Sequence, residues 1–178
     1  MNSSIESLLE HDHESLDQLL TELDAELTKP NIVRAFEVLD LFWARLAVHI
    51  RAENHHLFPA LANTPAARFT GKGSLPTSEE AHNMLLRLRS DHDFFMKELA
   101  RMIKAARGFR VSQEAGREEA EELRKRLAAI RKRLETHNRL EEKLVYTWPA
   151  LLFDEQTVAK LCDHVRHELE TLPPRFAA

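Results

Sequence analysis

The segment LETHNRLEEKLVYTWP, residues 134–149, sets His137 and Glu141 four residues apart inside a run of apolar residues at helical spacing. The segment LAVHIRAENHHLFP, residues 46–59, carries the same pair as His49 and Glu53. Each His has a Leu three residues before it (Leu46, Leu134) and an aromatic nine residues after it (Phe58, Tyr146). Residues four apart lie one turn apart on the same face of a helix. Two copies of the arrangement read as the two halves of one site.

The flanking sequence extends both copies in the same register. Leu123, Leu127, Ile130 and Leu134 lead into His137 and Glu141, and Ala35, Leu39, Phe42 and Leu46 lead into His49, Glu53 and His56. An earlier stripe, Leu9, Leu16, Leu20, Leu23 and Leu27, has His13 in its one remaining place. A further stripe, Leu85, Leu88, Phe95, Leu99 and Met102, has His92 in the same role. The tetrads EHDH around His13 and SDHD around His92 echo each other. The chain is therefore a repeat of two helical hairpins, each a helix with one His followed by a helix with HxxxE.

The element boundaries follow from local signals. The first helix is predicted from Ser3, where Ser3 and Glu6 have capping-box spacing, to Lys29 and Pro30. The second runs from Asn31 to Phe58, with Pro59 closing it. The stretch 63–78 holds two Gly and two Pro and reads as a long surface connection. Thr77 and Glu80 make a second capping box for a third helix that ends before Gly108, and Ser112 caps the fourth. A shorter fifth helix, Asp154 to Thr171, covers one end or flank. The fold expected is all-α: an up-down-up-down four-helix bundle over about 3–149, with the short C-terminal helix completing one domain of 178 residues.

Composition agrees and removes several functions. With 43% hydrophobic and 30% charged residues the chain can bury one core, and only four Gly, with no alternating β-branched run, favour helix over sheet. A formal charge of −4 supplies no basic field for nucleic acid, and no apolar run approaches the ~20 residues that cross a bilayer. The amino terminus lacks the basic and apolar regions of a signal peptide, so the expected location is cytoplasmic. A single cysteine, Cys162, rules out an internal disulfide and any thiolate-based zinc or iron–sulfur site within one chain.

His13 lies about ten residues, roughly 15 Å, from the start of its helix, and His49 a similar distance from the end of the next. The same offsets hold for His92 and His137. All six side chains, His13, His49, Glu53, His92, His137 and Glu141, are thus expected in one layer of the bundle interior. Two ionised carboxylates in a leucine-lined interior repel and protonate unless a cation joins them. Imidazole and carboxylate together suit first-row divalent or trivalent metals. Four imidazoles and two carboxylates exceed what one tetrahedral zinc takes; two ions bridged by both glutamates use them all and keep an open position for a small ligand.

The order His, HxxxE, His, HxxxE, with HHLFP after the first pair and VYTWP after the second, resembles the hemerythrin-like (HHE cation-binding) domains over roughly residues 5–150. The resemblance implies a non-haem di-iron centre in a four-helix bundle, with His13, His49, Glu53, His92, His137 and Glu141 as metal ligands and the two glutamates bridging. Two iron ions with an oxo or hydroxo bridge are the cofactor so implied, with manganese or zinc as alternatives. Oxygen-carrying hemerythrins use a fifth His four residues after the third-helix ligand and an aspartate in the last motif; Met96 and Glu141 stand at those places here. The function expected is binding of dioxygen, nitric oxide or a related small oxidant in sensing, scavenging or iron handling. A peroxidase or ferroxidase type of enzyme and a structural zinc module that docks a partner are the alternatives, and bis-His haem leaves the two core glutamates without a role.

Taken singly, a histidine on an apolar stripe is more often a hydrogen-bonded core residue than a ligand. Duplication in register is what gives the six weight. His11, His55, His82, His164 and His167 lie off the stripes and read as surface groups, and Asp12 as a solvated or outer-layer group. His56 is in register one step beyond Glu53 and is a candidate for an access path or an extra ligand; Asp17 and Met96 are candidate pocket walls. The charged run Arg117–Arg133 reads as a solvated helix face with i,i+4 pairs, and Cys162 as a small buried hydrophobe.

Overall fold

Helix α1 (Ile5–Glu26) begins where the Ser4 hydroxyl accepts from the Ser7 N–H at 3.1 Å, supplying one of the hydrogen bonds that the first turn cannot make internally. The computed structural model describes residues 4–29, 32–112 and 117–176; Ser3, the cap expected from the sequence, and Pro30 lie outside them. Leu9, Leu16, Leu20 and Leu23 are fully buried on one face of α1. Each such side chain contributes about 1.5–3 kcal/mol by leaving water.

Helix α2 (Ile32–Ala52) does not end at Pro59. It widens into a π turn over Glu53–Leu57, with the Phe58 N–H donating to the Glu53 carbonyl, and continues as α3 (Phe58–Ala62). The physical reason is local: proline is tolerated in the first turn of a helix, where its missing N–H has no partner to lose, and the wider turn lets a new helix begin there. Helix α4 (Ser78–Ser112) starts at the expected capping box, where Glu80 Oε2 accepts from the Thr77 N–H at 2.8 Å and Thr77 Oγ1 accepts from the Glu80 N–H at 3.3 Å. It runs through Gly108 rather than stopping before it, since a glycine weakens a helix by about 1 kcal/mol without forbidding it. Ser112 thus belongs to α4. Helix α5 (Arg117–Lys143) follows, and residues 113–116 lie outside the described set.

After Glu141 the second hairpin also becomes irregular, but by tightening. A 3₁₀ turn at Val145–Thr147 leads into α6 (Trp148–Leu152), again with proline in its first turn. Helix α7 (Glu155–Glu170) opens with the Asp154 carboxylate accepting from the Thr157 N–H at 2.8 Å. It lies against α1, α2 and the π turn, flanking one end of the bundle as expected. Helices α1, α2, α4 and α5 pack as neighbours in a closed four-sided bundle. Among the described residues the one departure from helix and loop is an isolated antiparallel bridge between Thr70 and Thr77.

The connection 63–77 is pinned rather than merely draped over the surface. Phe69 is buried edge-on against Trp148 with ring centroids 6.1 Å apart, and the Arg68 guanidinium donates to the Leu152 carbonyl. Buried apolar side chains form two clusters. One contains Leu20, Phe42, Phe95 and Leu127; the other contains Leu9, Phe58, Leu88 and Trp148. The buried histidines and glutamates belong to neither and lie where the two clusters meet on the helix stripes. No described helix is long and apolar enough to cross a membrane.

Candidate metal centre

All four imidazoles and both carboxylates come from the inward stripes of α1, α2, α4 and α5 and the first residue of the π turn. His13, His49, His92 and His137 are 5%, 2%, 2% and 3% exposed, and Glu53 and Glu141 are fully buried. The structure brings the six together in two overlapping groups. Single ligand atoms of Glu53, His92, His137 and Glu141 lie within 4.8 Å of one another, as do those of His13, His49 and Glu141. His13 Nε2 is 3.1 Å from His49 Nε2, and His92 Nε2 is 3.1 Å from His137 Nε2. Two nitrogens ~2.1 Å from one ion and at right angles stand roughly 3.0 Å apart, so each imidazole pair already has the spacing of adjacent ligands.

The backs of the rings are also arranged. Asp12 Oδ2 accepts from His49 Nδ1 at 3.0 Å, Asp91 Oδ2 from His137 Nδ1 at 3.3 Å, and Glu142 Oε1 from His13 Nδ1 at 2.8 Å. A proton held at Nδ1 leaves Nε2 as the atom facing the centre, which is how ligating histidines are oriented. Arg45 donates to Asp12 at 2.8 Å, and Arg133 to Asp91 at 2.7 Å. Arg133 also lies over the Phe94 ring at 4.1 Å. Asp12 is buried behind His49, so of its two readings, solvated or outer-layer, the outer-layer one holds.

Electrostatics explain how two carboxylates stay in this interior. Burial pushes Glu53 upward, but the charge of His49 and the contacts of His92 and His137 outweigh it and hold the carboxyl well below its usual range. Burial likewise works to depress His49, yet Glu53 and Asp12 lift it to about 9. Against the same burial, Glu141 and Asp91 lift His137 to about 10. Asp12 and Asp91 both lie below the usual range: burial opposes it, and the hydrogen bonds from His49 and His137 overcome it. In the protein without a cation, the imidazolium charges of His49 and His137 stand against the Glu53 carboxylate. A metal ion takes the place of those protons.

That balance is incomplete on one side. Glu53 Oε2 lies 3.1 Å from His92 Nε2 and Glu141 Oε1 lies 3.1 Å from His137 Nε2, but neither oxygen has an aligned hydrogen-bond partner among the described residues. A buried carboxylate oxygen without a donor costs more than about 1–3 kcal/mol. Two such oxygens beside two imidazole Nε2 atoms make a donor set that a cation completes, so the residues present fit a metal centre.

Tyr146 is the group that sequence reasoning left out. Its hydroxyl donates to Glu53 Oε1 at 2.7 Å and lies 3.3 Å from Glu141 Oε2 and 3.2 Å from His13 Nε2. Burial and the two glutamates push its phenol well above the ordinary value. The signals were present: an aromatic nine residues after each His, Asp immediately before His13 and His92, and Arg four residues before His49 and His137. Other candidates fall outside. Asp17 is exposed; Met96 is half-buried against the apolar cluster that contains Leu20, Phe42, Phe95 and Leu127. His56 faces α7 with Nε2 3.5 Å from Glu168 Oε2, and its ring sits 5.5 Å from that of His164. His11, His55, His82, His164 and His167 are exposed, and Cys162 is buried.

A bundle of four helices whose interior layer presents duplicated His and HxxxE side chains defines a cation-binding helical protein. Residues 4–149 match the family model of the hemerythrin HHE cation-binding domain. The chain belongs to that family. No curated protein and no solved structure matches it.

Proposed function

We propose that this protein is a non-haem di-iron protein that binds dioxygen, nitric oxide or a related small oxidant, in sensing, scavenging or iron handling. The observation that carries the reading is the pair of overlapping ligand groups, one around His13 and His49 and one around His92 and His137, sharing Glu141. The donor count exceeds a single tetrahedral zinc and suits two ions of higher coordination number.

His13, His49, His92 and His137 would hold the ions through Nε2, and Glu53 and Glu141 through their carboxylate oxygens. Iron so held supplies reversible one-electron chemistry and a position for a small ligand. Asp12, Asp91 and Glu142 fix the tautomer and angle of their histidines, so the nitrogens need little reorganisation when a ligand arrives. Phe58, stacked on His92 at 5.6 Å with the rings 3° from parallel, and Phe95, edge-on to His137 at 5.3 Å, close the layer to water. The Tyr146 hydroxyl donates to Glu53 Oε1 when no cation is held there.

Anaerobic titration with ferrous iron is expected to give two irons per chain, and exposure to oxygen, nitric oxide and peroxide in parallel to change the near-ultraviolet and visible spectrum with at least one of them. One ion or none per chain, or zinc displacing iron at equal supply with no redox colour, overturns the reading. Multiple turnovers with peroxide that are lost in Glu141→Ala would move the assignment to an enzyme.

A further inference from the structure

The two halves of the centre are related by the sequence repeat but are not chemically equal. The repeat continues past the glutamates as HHLFPAL in the first hairpin and VYTWPAL in the second, yet the proline is ten residues after His49 and twelve after His137. The first copy fits its proline with a wide π turn, the second with a tight 3₁₀ turn in a glutamate-to-proline segment two residues longer. The aromatic nine residues after the His is Phe58 in one copy and Tyr146 in the other. Phe58 presents a ring face to His92. Tyr146 presents an oxygen to His13, Glu53 and Glu141, within 3.3 Å of an atom of each.

The residue after each glutamate differs in the same sense. Glu142 accepts from His13 Nδ1 at 2.8 Å. Its counterpart is Asn54, whose Oδ1 has no hydrogen-bond partner among the described residues, as is also true of His92 Nδ1. The His13 and His49 half is backed by the carboxylates of Asp12 and Glu142 and faces the phenol. Among the described residues, the His92 and His137 half is backed by Asp91 alone and contains the two carboxylate oxygens that lack a donor.

We infer that the Tyr146 oxygen is a seventh protein ligand, to the cation held by His13 and His49, and that the ion held by His92 and His137 has no such ligand. The inference rests on the two-iron reading above. The phenol is fully buried, lies among three groups that already converge on one point, and reaches them without a change of backbone. Ligation breaks the phenol O–H bond and releases its proton to water, while an oxygen–metal bond replaces the hydrogen bond to Glu53. The added anionic oxygen favours the ferric state in this half, so a half-oxidised centre would keep its ferric ion beside His13.

Tyr146 is the single tyrosine of the chain, so any tyrosinate signal belongs to it. Protein grown on ring-deuterated tyrosine, loaded with iron and oxidised, is to be measured by resonance Raman and metal analysis beside the unlabelled protein. The expected result is a visible phenolate-to-iron band whose Raman modes shift on deuteration, absent in Tyr146→Phe while two irons per chain remain. Gallium(III), which has no redox chemistry, should produce the ultraviolet difference spectrum of tyrosine ionisation in the wild type. Two irons with no phenolate modes and no gallium difference spectrum overturn the inference and leave the di-iron reading standing. Fewer than two irons in the wild type overturn that reading and the inference with it. If Tyr146→Phe fails to fold, the labelled wild-type spectrum decides alone.

Discussion

Removing one charge behind a ligating ring should weaken metal binding without touching any atom that faces the metal. Asp91→Asn keeps a carbonyl oxygen within reach of His137 Nδ1 but removes the carboxylate charge that Arg133 holds in place at 2.7 Å. Loss of such a partner typically costs tenfold to a hundredfold in affinity, about 1.4–2.8 kcal/mol. The Asp91 contact, at 3.3 Å, is longer than the 3.0 Å contact of Asp12 with His49. Asp91→Asn should therefore fall near the tenfold end and Asp12→Asn nearer the hundredfold end. Asp93, on the other side of His92, is exposed and 3.8 Å from Lys97, so Asp93→Asn should bind metal within twofold of the wild type. The assay is competition for ferrous iron against a chelator of known affinity, without air, with circular dichroism confirming the fold of each variant. Wild-type affinity in Asp12→Asn and Asp91→Asn, or an equal loss in Asp93→Asn, would show that these contacts do not orient the ligands.

Further expectations concern stability. In chelator-treated protein, His49 and His137 titrate at about 9 and about 10 folded, above the ordinary 6.5, so their contribution is complete below about pH 6.5 and is lost as pH rises toward 10. Glu53, held below its ordinary 4.5, contributes above that pH and loses its contribution on acidification. The metal-free melting temperature should thus be highest between pH 4.5 and 6.5, falling on the alkaline side; a rise from pH 7 to 9 would contradict the charge balance. Phe69→Ala should cost about 3 kcal/mol in urea unfolding and alter Trp148 emission, because the ring is buried against that indole. Gly71 and Gly73 both have φ of +63°, so alanine at either should cost about 1 kcal/mol. Gly71→Ala should cost more, since its Cβ would meet Thr77 Cγ2 at 2.9 Å while nothing lies near that of Gly73.

The helices, their inward faces and the six candidate ligands were legible because each depends on spacing within one helix. His49 and Glu53 share a face through a four-residue offset, and His13 and His92 stand where a stripe of leucines requires an inward residue. Local chemistry also marked the capping box at Thr77 and Glu80. It misplaced the end of the second helix, because Pro59 reads as a stop when only α-helical geometry is considered and a π turn removes the conflict. The charged run on α5 is mostly a solvated face, as in the 3.0 Å pair of Arg126 with Glu122. Arg133 reaches across to Asp91 on α4, as Arg124 reaches Asp24 on α1 and Arg126 reaches Glu98 on α4.

What the sequence by itself determined was the class of fold and the identity of the inward histidines and glutamates, since helical periodicity is a property of neighbours along the chain. What only the tertiary structure decided was which groups stand behind and between them. Asp12 meets His49 across 37 residues, Asp91 meets His137 across 46, and Tyr146 reaches Glu53 across 93. Those contacts depend on how the helices are rotated and offset against one another, and on a two-residue difference between the turns that end the hairpins. Packing of the whole bundle sets both, so no local pattern specifies them.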